Sequence, residues 1–156
     1  HEVTERYDEN LCLQFIESTT QTRSKKTNLK GERTAAGFAV TSAGAGETTE
    51  LNIDCLSTFA YWTPKLLTQT QLLNGQDGRL MQVTISPVSQ NNVEPAAAKS
   101  YRLTADSLDL ILHYSHEGRW VGLESELPAG RRLVYKLEAY QNLSGFERTA
   151  AVSPSQ

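Results

Sequence analysis

Three histidines, two cysteines and a pair of glutamates are the residues of this chain whose types could do chemistry, and their spacing argues against most of it. His113 and His116 are three apart, which on a strand places them on opposite faces, so one ion cannot be held by both without a sharp turn between them. His1, with a free amine beside its imidazole, could bind copper as oxidative polysaccharide-cleaving enzymes do, but that site needs a second histidine next to it in space. Neither Cys12 nor Cys55 has a neighbouring histidine in sequence, no G-x-S-x-G elbow occurs, and the serines lie in polar stretches. Nucleophilic catalysis would therefore need a triad assembled only in space. Glu124 and Glu126 share a strand face, as an acid/base pair could, yet Arg131, Arg132 and Lys136 follow on the next strand. Cross-strand ion pairing on a wet face accounts for them. These residues predict no catalytic group, no metal ligand and no cofactor.

The aromatic side chains are the more informative group. Phe59, Tyr61 and Trp62 crowd one short run, and Tyr114 and Trp120 flank a hairpin turn. Two readings compete. Packed on one another, the rings form the core plug of a curved sheet. Lining a concavity, the same five residues make a binding site for a lipid-like ligand, because such rings combine large apolar area with polar tips.

The elements that would carry these residues follow from period-two alternation, which recurs through the chain while sustained helical periodicity hardly appears. Leu108, Leu110, Leu112 and Tyr114 share one parity, and His116-Glu117-Gly118-Arg119 supplies a turn before Trp120. The next run carries Val121, Leu123 and Leu127 on one face. After the break at Pro128-Ala129-Gly130, Leu133, Tyr135 and Leu137 alternate with charged residues, giving a three-strand meander with a fourth strand over 101–104. Upstream, Leu11, Leu13 and Phe15 alternate with Cys12, Gln14 and Ile16, residues 19–27 form a loop, and strands fall at 28–34, 37–42 and 48–54. Ala43-Gly44-Ala45-Gly46 marks a hairpin tip. Thr63-Pro64 is an N-cap followed by proline at the first helical position, predicting one short helix near 64–69. The two glycines of Asn74-Gly75-Gln76-Asp77-Gly78 form a tight turn feeding a strand over 80–86, and 89–98 is a surface loop. The expected fold is mainly β, a curved, half-barrel-like antiparallel sheet with one short helix, in a single domain spanning 1–156.

The totals narrow the partners. At 156 residues the chain can bury roughly 70% of its unfolded surface, enough for a core without metals. With 15 basic against 18 acidic residues there is no positive surplus for phosphate neutralisation, which argues against nucleic acid. No apolar run approaches the roughly 20 residues of a membrane-spanning helix. Cys12 and Cys55 would close a loop worth about 4 kcal/mol in an exported protein, or remain two small buried apolar residues in a reducing compartment.

The segment Cys55-Leu56-Ser57-Thr58-Phe59-Ala60-Tyr61-Trp62-Thr63-Pro64, then Leu72-Leu73-Asn74 with Gln76 and Gly78, then Tyr101-Arg102-Leu103, then Tyr114, Gly118-Arg119-Trp120-Val121 and Leu123-Glu124, resembles an uncharacterised family of exported proteobacterial proteins. Its pattern runs C-x-x-T-F-A-Y-W-[DN]-P, L-L-N-x-Q-T-G, then W-Y-x-x-x-G-x-W-V-x-L-E. Asp77 stands where the family usually has threonine, and His113 where it often has tryptophan. The resemblance implies a periplasmic address and a chain that is the later portion of a longer precursor whose signal peptide precedes it. It implies no activity. The expected function is a non-enzymatic periplasmic domain holding an apolar small molecule or lipid in its concave face. The alternatives are an accessory subunit docked on a membrane-associated protein complex, and an enzyme whose site forms only in space.

Overall fold

Alternating apolar and polar residues do build strands here, and the apolar face of each decides what it packs against. The computed structural model describes residues 1–42, 46–89, 99–106, 108–127 and 130–138. Among them are twelve strands and one 3-10 turn, with no helix long and apolar enough to cross a membrane. The mainly antiparallel β architecture is as expected. Its strands are distributed over three sheets, and their contacts gather into two compact units.

The first unit comprises His1–Phe59 and Gln71–Met81. Its five-stranded sheet is an antiparallel meander of β1 (Glu2–Tyr7), β2 (Leu13–Gln21), β3 (Lys26–Thr34), β4 (Gly37–Ser42) and β5 (Thr48–Leu51), in that order. Leu13, Ile16, Leu29, Phe38, Val40, Leu56 and Leu73 form its core. The residues 55–58 are held to this core from two sides: Leu13 donates its amide to Leu56 O at 2.8 Å, and Leu73 donates to Ser57 O at 2.9 Å. A disulfide joins Cys12 to Cys55, with Cα atoms 4.9 Å apart. At the turn after β6 (Gln71–Leu73), Gly78 has φ +78°, and a Cβ there would lie 2.6 Å from the Leu29 side chain. Both the backbone conformation and the space call for glycine.

Two expectations about this half need correction. Leu13 and Phe15 do not share the core face. In the β1–β2 register Arg6 pairs with Phe15 but Tyr7 pairs with Leu13, so Gln14 is an extra, bulged residue. The bulge puts Leu13 and Ile16, three apart, both in the core, and sends Phe15 outward, where the Arg6 guanidinium lies 4.4 Å over its ring. The loop expected over 19–27 is shorter, because Thr19, Thr20 and Gln21 pair with Asn28, Thr27 and Lys26. The tip residues 43–45 lie outside the described residues.

The second unit comprises Ala60–Thr70 and Gln82–Gln156. Its sheet runs β12 (Arg131–Lys136), β11 (Trp120–Leu127), β10 (Leu108–Tyr114), β9 (Lys99–Ala105) and β8 (Thr84–Val88), again antiparallel throughout. The expected helix is a single 3-10 turn over Pro64–Thr68. Thr63 Oγ1 accepts from the Lys65 amide at 3.2 Å, and Gln69, already extended, donates to Leu66 O. The strand expected over 80–86 is interrupted at Val83, whose amide turns away to Thr70 O at 2.9 Å; β7 (Leu80–Gln82) pairs with β6, and β8 pairs with β9. Of the loop expected at 89–98, all but Ser89 lies outside the described residues.

One carboxyl of the first unit sits in an unusual place. Glu5 shares a face of β1 with Tyr7, whose hydroxyl donates to Glu5 Oε2 at 2.9 Å and lies 2.9 Å from the hydroxyl of buried Thr58. Burial pushes Glu5 above its ordinary range, against hydrogen bonds from Thr58 and Tyr7 that favour the ionised form. Tyr7 is pushed up by the same burial and by the Glu5 charge.

Two outcomes follow for stability. Replacing both Cys12 and Cys55 by serine removes a link across 43 residues, and urea denaturation should show a loss of about 4 kcal/mol. Because folded Glu5 holds its proton to a higher pH than unfolded Glu5, the protein loses stability as pH rises from the ordinary glutamate range through the folded value. The variant Glu5→Gln should therefore gain on the wild type as pH rises above the ordinary glutamate range in parallel denaturation series; a difference that stays constant with pH would show that Glu5 does not titrate differently in the folded state.

Candidate functional site

The aromatic residues singled out by the sequence divide between the two units. Phe59 belongs to the first, whereas Tyr61, Trp62, Tyr114 and Trp120 belong to the second. Within the second unit three of them converge. Tyr61 stacks on Trp120 with ring centroids 6.5 Å apart and planes 27° from parallel. The Tyr114 hydroxyl donates to the Tyr61 carbonyl at 2.9 Å, and Tyr101 meets the Tyr114 ring edge-on at 6.0 Å. Tyr114 and Trp120 are buried, at 2% and 5% exposure, while Tyr61 and Trp62 are half-buried.

A second bulge produces this convergence. Tyr114 pairs with Trp120 while His113 pairs with Gly122, which makes Val121 the extra residue of β11. Trp120 and Leu123, three apart, are therefore both buried on the core face, where alternation alone would have separated them; Val121 is half-buried, and the side chain of Leu127 lies outside the described residues. Gly122 is required beside the bulge, since a Cβ there would lie 2.7 Å from the Tyr135 carbonyl oxygen.

The electrostatics of the ring group suit contact rather than proton transfer. Burial, with the Tyr135 charge, pushes Tyr61 up to about 12, and burial raises Tyr114 further. Both phenols are thus neutral donors at any physiological pH. The Tyr114 donor is used. By contrast the Trp120 indole N–H is buried and has no acceptor among the described residues.

Sequence reasoning misses a second arrangement, a polar row across the other face of the same sheet. Ser100 Oγ lies 2.6 Å from His113 Nδ1; His113 Nε2 lies 3.3 Å from Glu124 Oε1; and Arg132 donates to Glu124 Oε2. The signal for it is the tight connection between Ala105 and Leu108, which places Ser100 opposite His113 once pairs are counted back from it. Burial pushes the Glu124 carboxyl up, but the Arg132 guanidinium and the His113 imidazole outweigh it and hold the group below the usual carboxylate range. The order of groups resembles a charge relay. Yet Ser100 is 3% exposed, so its hydroxyl offers no surface to a substrate, and Nε2 makes a charge contact with Glu124 rather than a directed hydrogen bond. The row is a cross-strand group of polar side chains that includes the ion pair anticipated for Glu124.

The remaining candidates do not assemble. His116 is exposed in the turn after β10, and His1 Nδ1 is 2.7 Å from Thr20 Oγ1 on the first sheet. Among the described residues no three His, Cys, Asp or Glu side chains converge as metal donors would. A cavity of about 280 Å³ in the first unit is lined by Leu29 together with polar and charged residues that include Glu17, Thr19, Lys26, Asn28 and Lys30, and by none of the five aromatic residues.

No curated protein and no solved structure matches the chain. A family model does: it covers residues 1–138, the whole of both described sheets, and the chain accordingly belongs to the family defined as domain of unknown function DUF6134.

Proposed function

We propose that this chain is a non-enzymatic periplasmic domain that holds an apolar, lipid-like ligand against the aromatic group of its second unit. The observation that carries the reading is the Trp120 indole N–H, buried among rings without an acceptor among the described residues. Leaving such a donor unpaired costs about 1–3 kcal/mol, and a phenylalanine would fill similar space without that cost. A ligand with an apolar body and one acceptor oxygen supplies what the site lacks. The half-buried Tyr61 ring, stacked on Trp120, is the surface it would share. The Cys12–Cys55 disulfide supports an oxidising compartment, and the burial of Ser100 supports a role without catalysis.

A second reading, an accessory subunit of a membrane-associated assembly, draws on the open outer strands of both five-stranded sheets. Its distinguishing outcome is recovery of a stoichiometric protein partner from the native host in place of a lipid.

The ligand reading is tested by titrating the purified chain with the apolar fluorophore 1-N-phenylnaphthylamine, then displacing it with palmitic acid or its methyl ester. Saturable binding with a change in tryptophan emission is expected, and Trp120→Phe should weaken ester binding roughly tenfold, the size of one buried hydrogen bond. A folded protein that binds neither fluorophore nor acyl chain sinks the proposal.

A further inference from the structure

Among the described residues the two five-stranded sheets end in four outer strands, and three of them carry features that discourage pairing with another strand. In β8 the edge contains Pro87, which lacks an amide donor; β12 carries Arg131, Arg132 and Lys136; β5 is four residues long. Strand β1 differs. It offers six residues with neither proline nor lysine, and it bears Val3, which is 46% exposed and is the large hydrophobic residue left in solvent among the described residues.

Its sequence is also complementary to itself. Glu2, Thr4 and Arg6 lie on one face of β1, opposite Thr19, Glu17 and Phe15 of β2, and all three are exposed. An antiparallel partner of identical sequence can be centred on only a few residues while keeping each face in register. Centring on Val3 sets Glu2 against Thr4 and makes no ion pair within Glu2–Arg6. Centring on Glu5 sets two glutamates directly opposite one another, which is destabilising. Centring on Thr4 sets Glu2 of each copy against Arg6 of the other, twice by symmetry, and places Val3 against the aliphatic stem of Glu5.

We propose that β1 is a homodimerisation edge: two copies of this chain pair antiparallel through β1, about a twofold axis at Thr4, with reciprocal Glu2–Arg6 ion pairs. Only this register satisfies both charges, and Arg6 is already held in place over the Phe15 ring, which lowers the entropy its guanidinium gives up on pairing. A six-residue strand pair covers less than the roughly 1,200 Å² of a stable interface. The dimer is therefore weak and concentration-dependent, and exposed ion pairs make it weaker in high salt. It would be isologous, as most dimers are.

The test is sedimentation equilibrium of the full chain over a concentration series reaching the millimolar range, at low and high salt. The wild type should self-associate reversibly, and less so at high salt. Glu2→Arg should be monomeric, since each interface then apposes the introduced guanidinium to the guanidinium of Arg6, and Arg6→Glu should be monomeric because it apposes two carboxylates. Mixed in equal amounts, the two variants should form a one-to-one heterodimer, because every apposed pair unites a variant strand of one sign with a variant strand of the other. In that mixed dimer the charges at positions 2 and 6 of the first strand are both positive and those of the second both negative. Near-UV circular dichroism reports whether each variant is folded; Glu2 is exposed and Glu2→Arg leaves Arg6 over Phe15, so that variant decides the matter even if Arg6→Glu does not fold. A wild type monomeric at all concentrations, association of Glu2→Arg equal to that of the wild type, or folded variants that fail to pair when mixed would each overturn the proposal. So would a monomer whose β1 edge amides resist hydrogen exchange, since the edge would then be occupied from within the chain.

Discussion

A pleated strand sends alternate side chains to opposite faces, so two apolar residues three apart can both face the same core only where the strand gains a residue. Each five-stranded sheet depends on such a place. In the first, Gln14 is extra, and Leu13 and Ile16 both reach a core that also holds Leu29, Phe38 and Val40. In the second, Val121 is extra, and Trp120 joins Leu123 on the face occupied by Leu112 and Tyr114. Neither bulge is incidental to what surrounds it. The first turns Phe15 outward to meet Arg6 and so leaves a fixed cation on an outer strand. The second brings the indole beneath Tyr61 and leaves its N–H without a partner among the described residues.

Two half-buried glutamates, Glu5 and Glu124, show how the same side chain is treated differently by its neighbours. Both suffer desolvation. Glu5 meets the neutral hydroxyls of Tyr7 and Thr58, so the desolvation prevails and its proton is retained to higher pH. Glu124 meets the Arg132 guanidinium and the His113 imidazole, and its charged form is favoured instead. Their contributions to stability therefore run in opposite directions with pH: that of Glu5 falls as pH rises, whereas that of Glu124 is present above the ordinary glutamate range and is lost as pH falls through its depressed value. Arg132 is mostly exposed, so solvent screens the second effect and keeps it small.

Much of the architecture is legible in residue order, and the failures have identifiable causes. The run Leu108, Leu110, Leu112 and Tyr114 keeps strict parity because β10 is regular along its pairing with β9, so alternation alone identifies it. Thr63-Pro64 announces a helical start, but with Gln69 extended the propagation is a single 3-10 turn. Strand β1 escapes recognition because Glu2–Tyr7 has too few apolar residues to alternate; what makes it a strand is its ladder with β2, a non-local fact. Phe15 parts from the face of Leu13, and Trp120 joins that of Leu123, against what alternation assigns, because a bulge shifts the phase without changing composition. Ser100, His113 and Glu124 are scattered along the chain, and only strand register brings them together. Tyr61, Tyr114 and Trp120 form a group as their sequence crowding suggests, whereas Phe59 falls in the other unit.

The rings of the second unit illustrate how a packing role and a binding role are to be separated. Burial alone does not distinguish them, for Tyr114 is as buried as a core leucine and packs edge-on against Tyr101 in the manner of a structural aromatic. Its hydroxyl is also satisfied, by the Tyr61 carbonyl, and a residue whose area and polar tip are both accounted for needs no ligand to explain it. Trp120 has its area accounted for and its tip not. Since buried donors are overwhelmingly paired in folded proteins, the unpaired one carries information that the paired one lacks. Within the ring group the indole Nε1 is therefore the polar atom whose burial the contacts among the described residues leave unaccounted for.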